Sequence, residues 1–247
     1  MEQSSTDQAG GHAGVMIFEG DKLLKRCKES EINFYRWLYS PEHDDPMIME
    51  LRQMAPRFYG TQEREGGTYV VLENLLLGYE HASFMDCKIG KITWTPHHSE
   101  KTIRNQQIKN QSTTTGTLGY RITGLIVKDE HGNKVETLVK AFNEINEENI
   151  HQQFAKIVTR DGAVQRDLID ELIGGTARIL NWFRSNRSKH FRCTSAFYVV
   201  GKNGKCQVRY IDFAHIIDGN GELDNNVIEG LENIIATWQR VRREHCS

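Results

Sequence analysis

The chain has 247 residues, 38% hydrophobic and 26% charged, with a formal net charge of −2. A chain of this length buries roughly 75% of its unfolded surface, so it builds a core without disulfide or metal staples. No apolar run reaches the roughly 18–20 residues needed to span a bilayer, and no signal-peptide core follows Met1. The near-neutral balance gives no sign of a nucleic-acid binder.

Residues 1–11 are polar and Gly/Ser-rich and read as a flexible terminus. Val15–Phe18 and Lys22–Cys27 are β-prone runs split by Glu19-Gly20-Asp21, a hairpin signal. Glu31–Tyr39 has helical spacing, and Pro46–Met54 opens with proline in its first turn. Arg57–Tyr59 and Thr68–Leu72 read as strands. Residues 12–75 thus form a small N-lobe and 76–247 a larger C-lobe. Phe84–Thr95 is strand-rich, and Ser99 caps a polar helix that spans the segment near 98–112. Strands follow at Leu118–Lys128 and Lys134–Val139, then helices at Glu147–Thr159 and Gln165–Arg187. A hairpin of Ser195–Val200 and Gln207–Phe213, and a helix Asn225–Arg243, complete an α+β chain. The five cysteines include no CxxC pair, which fits a reducing, cytosolic or nuclear setting.

Charge is distributed unevenly. Between Cys87 and Val127, Lys88, Lys91, Lys101, Arg104, Lys109 and Arg121 face Glu100 alone, and His97 and His98 add to them when an anion approaches. A solvated helix face explains such a run about as well as a pocket for a multiply phosphorylated small molecule. Interleaved stacking aromatics are few, which disfavours RNA.

There is no GxxxxGK[ST], GxGxxG or HRD loop. Three fragments stand out instead. Asp86 and Lys88 lie two apart, on one face of a strand. Asp212 ends a β-prone run between apolar residues, a setting that suits a Mg²⁺ ligand as well as a turn. Lys25 follows Leu23 and Leu24, with Glu31 opening the next helix, the layout of a phosphate-clamping lysine and its orienting glutamate, although lysines on strands are common.

Together these fragments resemble the inositol polyphosphate kinases. Met85-Asp86-Cys87-Lys88-Ile89-Gly90 is similar to that family's PxxxDxKxG signature, with Ala82 in place of proline. Tyr210–His215 is similar to its IDFAH segment, Gly230–Ile235 to its closing GLENLI helix, Pro56–Gly60 to its PxxYG element, and Gln8–Gly14 to its QVAGH start. Glu100–Arg104, Gln111–Thr113 and Thr117–Arg121 look closest to the inositol hexakisphosphate kinase branch, although Gln107 and Ile108 replace two basic residues. Where relatives carry a YGR segment, this chain reads Ala141-Phe142-Asn143-Glu144, with Lys140 beside it.

The resemblance implies a two-lobed ATP-grasp or protein-kinase-like fold, with ATP and Mg²⁺ as cofactors. It implies Lys25, Asp86, Lys88 and Asp212 as the catalytic set, with Lys25 on the ATP phosphates and Glu31 fixing its rotamer. Glu73-Asn74-Leu75 would be the hinge against adenine, with Val71, Leu72 and Ile211 around the base. Asp86 would take ribose hydroxyls or sit beside the reacting group. Asp212, with Ser195, would hold the metal. Lys88, Lys101, Arg104, Gln107, Lys109 and His215 would grip an inositol phosphate. The implied activity is an inositol hexakisphosphate kinase making a diphosphoinositol. A multikinase acting on a ring hydroxyl is the alternative, and a silent inositol-phosphate sensor is the alternative of another class. No membrane or nucleic-acid partner is implied, and a monomer is expected.

Overall fold

The computed structural model describes residues 16–139 and 144–246. The Gln8–Gly14 segment, Lys140 and the Ala141-Phe142-Asn143 departure lie outside the described residues.

The first sheet is built from the start of the chain. β1 (Met16–Glu19) and β2 (Lys22–Arg26) form a hairpin that turns at Gly20, where φ is +60°. α1 (Glu29–Leu38) follows, then α2 (Pro46–Met54), whose N-cap Asp45 accepts a hydrogen bond from Met47 N at 2.8 Å. β3 (Phe58–Arg64) and β4 (Gly67–Glu73) complete a four-stranded sheet in the order β1-β2-β4-β3.

The larger sheet comes from distant parts of the chain. In chain order the elements are β5 (Ser83–Ile89), α3 (Glu100–Gln111), α4 (Thr114–Leu118), β6 (Tyr120–Lys128), β7 (Lys134–Val139) and α5 (Ile150–Ile157). Next come the short pair β8 (Thr159–Arg160) and β9 (Ala163–Val164), then α6 (Arg166–Ser185), β10 (Lys189–Arg192), β11 (Ser195–Val200), β12 (Cys206–Ile211), β13 (His215–Asp218) and α7 (Asn225–His245). The antiparallel order is β12-β11-β5-β6-β7, and β10 pairs separately with β13.

Alternation along these strands divides the sheet into two faces. Met85, Cys87, Ile89, Ala196, Tyr198 and Tyr210 are fully buried in the core, to which α5, α6 and α7 contribute Phe154, Phe183 and Trp238. Asp86 pairs with Phe197, which pairs with Arg209; Lys88 pairs with Ser195, which pairs with Ile211. The second face is therefore polar at its centre, and it looks toward β2, α1 and the end of β4. No helix among the described residues is long and apolar enough to cross a membrane.

Several expected elements shift. The Phe84–Thr95 strand stops at Ile89, because Gly90 turns the chain at φ +98°. α4 takes up the start of the expected Leu118–Lys128 strand, closed by Gly119 in the left-handed conformation. The helix expected at Glu147–Thr159 is Ile150–Ile157, and the hairpin strand expected to reach Phe213 stops at Ile211. The β10–β13 and β8–β9 ribbons carry no pattern that short-range reading detects.

Candidate active site

Phe213 is fully buried beside Phe34 (ring centroids 4.8 Å apart), Tyr35 (5.5 Å) and Tyr210 (5.5 Å). Burying such a ring contributes about 1.5–3 kcal/mol, enough to hold its neighbour in an unfavourable backbone conformation. That neighbour is Asp212, at φ +70°. The Ser30 hydroxyl donates to Ala214 O at 2.8 Å, tying the start of α1 to the same segment.

This anchoring carries Asp212 to Lys25. Lys25 Nζ donates to Asp212 Oδ1 at 2.6 Å and to Glu31 Oε1 at 2.8 Å, joining β2, α1 and the end of β12. Burial opposes the Lys25 charge, but Asp212 and Glu31 overcome it and hold the ammonium well above the usual lysine range. Burial likewise works against the Asp212 carboxylate, and Lys25 followed by Lys88 outweighs it, so Asp212 stays ionised below the usual carboxylate value.

Asp86 faces the opposite balance. Burial, then the neighbouring Asp212 charge, push its carboxyl up to about 6, against the pull of Lys88 and of the Ser195 and Thr123 hydroxyls. The Ser195 hydroxyl lies near enough to act on the carboxylate, yet neither Ser195 Oγ nor Asp86 Oδ1 closes a well-formed hydrogen bond. Two buried oxygens left open beside the Asp212 carboxylate make a hard, oxygen-only donor set. The described residues contain no group of three His, Cys, Asp or Glu able to cage a metal. Mg²⁺ needs none, since it takes one or two carboxylates and completes its shell with phosphate oxygens and water. The residues fit such a cation.

On the other side of this pair lies a group of bases. The His215 ring, at the start of β13, is 4.9 Å from the His98 ring. Burial, then His98, Lys28 and Lys88, push the His215 imidazole down to about 4. His98 sits immediately before Ser99, whose hydroxyl caps α3 by accepting from Thr102 N at 3.3 Å. The N-terminal end of α3 therefore adjoins the cluster. Asn110 fixes the other end, donating to Lys91 O at 2.7 Å and Thr93 Oγ1 at 2.9 Å.

The expected site residues divide accordingly. Lys25, Glu31, Asp86, Lys88, Ser195, Asp212 and His215 come together. Lys101, Arg104 and Gln107 are exposed on α3, and Lys109 lies in its last turn. Glu73, Asn74 and Leu75, expected as the hinge, lie at and just after the end of β4, where Asn74 Nδ2 donates to Gly20 O at 2.9 Å. Val71 and Ile211 are half-buried, whereas Leu72 belongs to the core. Lys28 and Arg209 were not anticipated. For Arg209 the period-two register with Ile211 carried the signal; for Lys28, at the α1 N-cap, nothing local did.

A small sheet with its helix, together carrying a lysine–glutamate pair, set against a larger α+β body that supplies an aspartate, defines the two-lobed kinase-like class. The inositol polyphosphate kinase profile matches residues 69–239. The chain is 30% identical to inositol polyphosphate multikinase alpha of Arabidopsis thaliana, covering 91% of this chain and 88% of that one. It superposes on a solved inositol phosphate multikinase with TM-score 0.72 and 27% identity, covering 86% of this chain and all of that one. The S. cerevisiae inositol phosphate multikinase, solved with ADP and Mn²⁺, gives TM-score 0.74 at 19% identity over 90% of this chain and 99% of its own. The chain belongs to the inositol polyphosphate kinase family.

Proposed function

We propose that this protein is an ATP- and Mg²⁺-dependent inositol phosphate kinase that phosphorylates a ring hydroxyl of an inositol tris- or tetrakisphosphate. The observation that carries this reading is the position of Asp86. A carboxylate raised to about 6 lies between the Lys25–Asp212 pair and the Lys28, Lys88, His98 and His215 bases.

In this reading Glu73-Asn74-Leu75 holds the adenine edge, and Lys25, oriented by Glu31, sits against the nucleotide phosphates. Asp212 and Ser195 would hold the cation, which when bound would neutralise charge on the transferring phosphoryl group. Lys88 and His215 hold the acceptor's phosphates close to the cation, while Lys101, Arg104, Gln107 and Lys109 on α3 extend that grip. Asp86 accepts the proton of the attacking hydroxyl, and a base of pKa about 6 is well matched to that task near neutral pH. A phosphate acceptor is already ionised and needs no such base. The multikinase names of the relatives support the hydroxyl reading over the hexakisphosphate one, and so does the thinner α3 charge, where Gln107 and Ile108 replace two basic residues and Lys109 restores one.

Product analysis by NMR tests the proposal across a panel of inositol tris-, tetrakis- and hexakisphosphates. The expected product carries a new phosphomonoester on the ring. A diphosphate formed from the hexakisphosphate, with tris- and tetrakisphosphates untouched, would reverse the assignment. Tight binding without ADP formation would turn the protein into a sensor.

A further inference from the structure

Arg209 lies on the same sheet face as Asp86, on β12, three residues before Asp212. Its guanidinium reaches across to the smaller sheet. Nη2 donates to Glu73 Oε1 at 2.9 Å and Oε2 at 3.0 Å, one nitrogen bridging both carboxylate oxygens at the end of β4. Nη1 donates to Gln53 O at 2.9 Å and Ala55 O at 3.3 Å, at the C-terminal end of α2, where a helix favours positive charge. Nε donates to Gln207 Oε1 at 3.0 Å, and Gln207 Nε2 in turn donates to Leu75 O at 2.6 Å. From the N-lobe side, Glu73 Oε2 accepts from Arg57 N at 3.2 Å, and Asn74 N donates to Asp21 O at 2.9 Å.

We propose that Arg209 is a positioning residue that sets the hinge 73–75 in register with Asp212, fixing the adenine and phosphate ends of the nucleotide site through one strand. This rests on the nucleotide-binding reading given above. Arg209 stands two residues before the end of β12 and three before Asp212, so one strand carries both the tie to Glu73 and the Asp212 carboxylate. The planar fork matters, because a lysine ammonium cannot hold both carboxylate oxygens and two carbonyls at once. Arg209 acts through the Glu73 carboxylate and, by way of Gln207, the Leu75 carbonyl, and touches neither reactant.

Binding of MgADP and of an inositol tetrakisphosphate to the full chain, each followed by calorimetry, tests the assignment. Arg209→Gln should weaken MgADP by about tenfold or more while inositol tetrakisphosphate affinity stays within about twofold, which also reports that the variant is folded. Arg209→Lys should recover only part of the loss. Glu73→Gln should weaken MgADP as well, and the double variant should lose less than the sum, because both changes break one pair. Unchanged MgADP affinity in Arg209→Gln, or equal losses for both ligands, would overturn the positioning role. A wild-type protein that binds no MgADP would instead overturn the nucleotide reading and this inference with it.

Discussion

At the scale of single residues, the electrostatic cost of the site falls on Asp86. Its buried Oδ1 has no hydrogen-bond partner, and its carboxyl titrates near 6 because burial and Asp212 oppose the charge. The folded pKa lies above that of an unfolded aspartate, about 3.9, so between pH 4 and 6 the native state binds more protons than the unfolded one. Stability from this group is fully present below about pH 4 and is lost as pH rises through about 6. Asp86→Asn removes the charge, so with chelator present it should stabilise the fold by about 1–3 kcal/mol at pH 7. The gain should shrink steadily from pH 6 to pH 4, while turnover is abolished at every pH. Thermal melts of both proteins across this range check it; a variant no more stable than wild type at pH 7 would remove the strain argument. Not every residue of this site was equally legible in the sequence. Lys25 and Glu31 are six apart, and Asp86 and Lys88 two apart, so local periodicity placed each pair. His98 and Lys28 meet His215 only through tertiary packing, and no spacing encodes that.

At the scale of elements, the closing helix ties the turn after β5 to the turn before β6. On α7, Gly230 lies against the chain at Gly119: a Cβ there would meet Gly119 O at 2.5 Å and Ile89 Cγ2 at 2.7 Å. Gly119 O also accepts from Gly90 N at 2.7 Å, so the turn after the Asp86–Lys88 strand and the turn before β6 share one contact with α7. Asn233 Nδ2 donates to Leu118 O at 2.9 Å, and Asn226 Oδ1 accepts from Ile92 N at 2.7 Å. The helix is thus a brace behind the loops that follow β5 and precede β6. Gly230→Ala forces a backbone carbonyl to move, and overpacking of this kind costs about 1–3 kcal/mol. The melting temperature should fall by several degrees, and inositol phosphate KM should rise more than nucleotide KM. An unshifted melting temperature would show that the helices slide apart freely. Long periodic elements such as α6 and α7 were readable in advance, because an amphipathic stripe over 20 residues is a strong signal. The four-residue strands β10 and β13 were not, since their identity comes from each other: Arg192 pairs with His215, and Phe191 with Ile216.

At the scale of the whole molecule, a protein of formal charge −2 has to attract a polyanion by local arrangement alone. The cations form two populations. Lys88 and His215 are half-buried beside Asp86 and Asp212, whereas Lys101 and Arg104 stand exposed on α3. Screening separates them, because the Debye length falls from about 14 Å at 50 mM salt to about 4 Å at 500 mM, and partly buried charges are shielded far less. Arg104→Ala should therefore weaken an inositol tetrakisphosphate several-fold at 50 mM KCl, with the wild-type and variant affinities converging toward 500 mM. Lys88→Ala should weaken it by a factor that changes little over the same range. MgADP binding to Arg104→Ala should follow wild type throughout. Calorimetric titrations at four salt concentrations read all three curves. If the Arg104 and Lys88 losses decline with salt in parallel, both residues act as long-range surface charges, and the division of the site into an outer α3 grip and an inner cation pair fails. If the Arg104 loss instead stays constant to 500 mM, α3 folds down onto the bound ligand, and the outer residues belong to the inner shell.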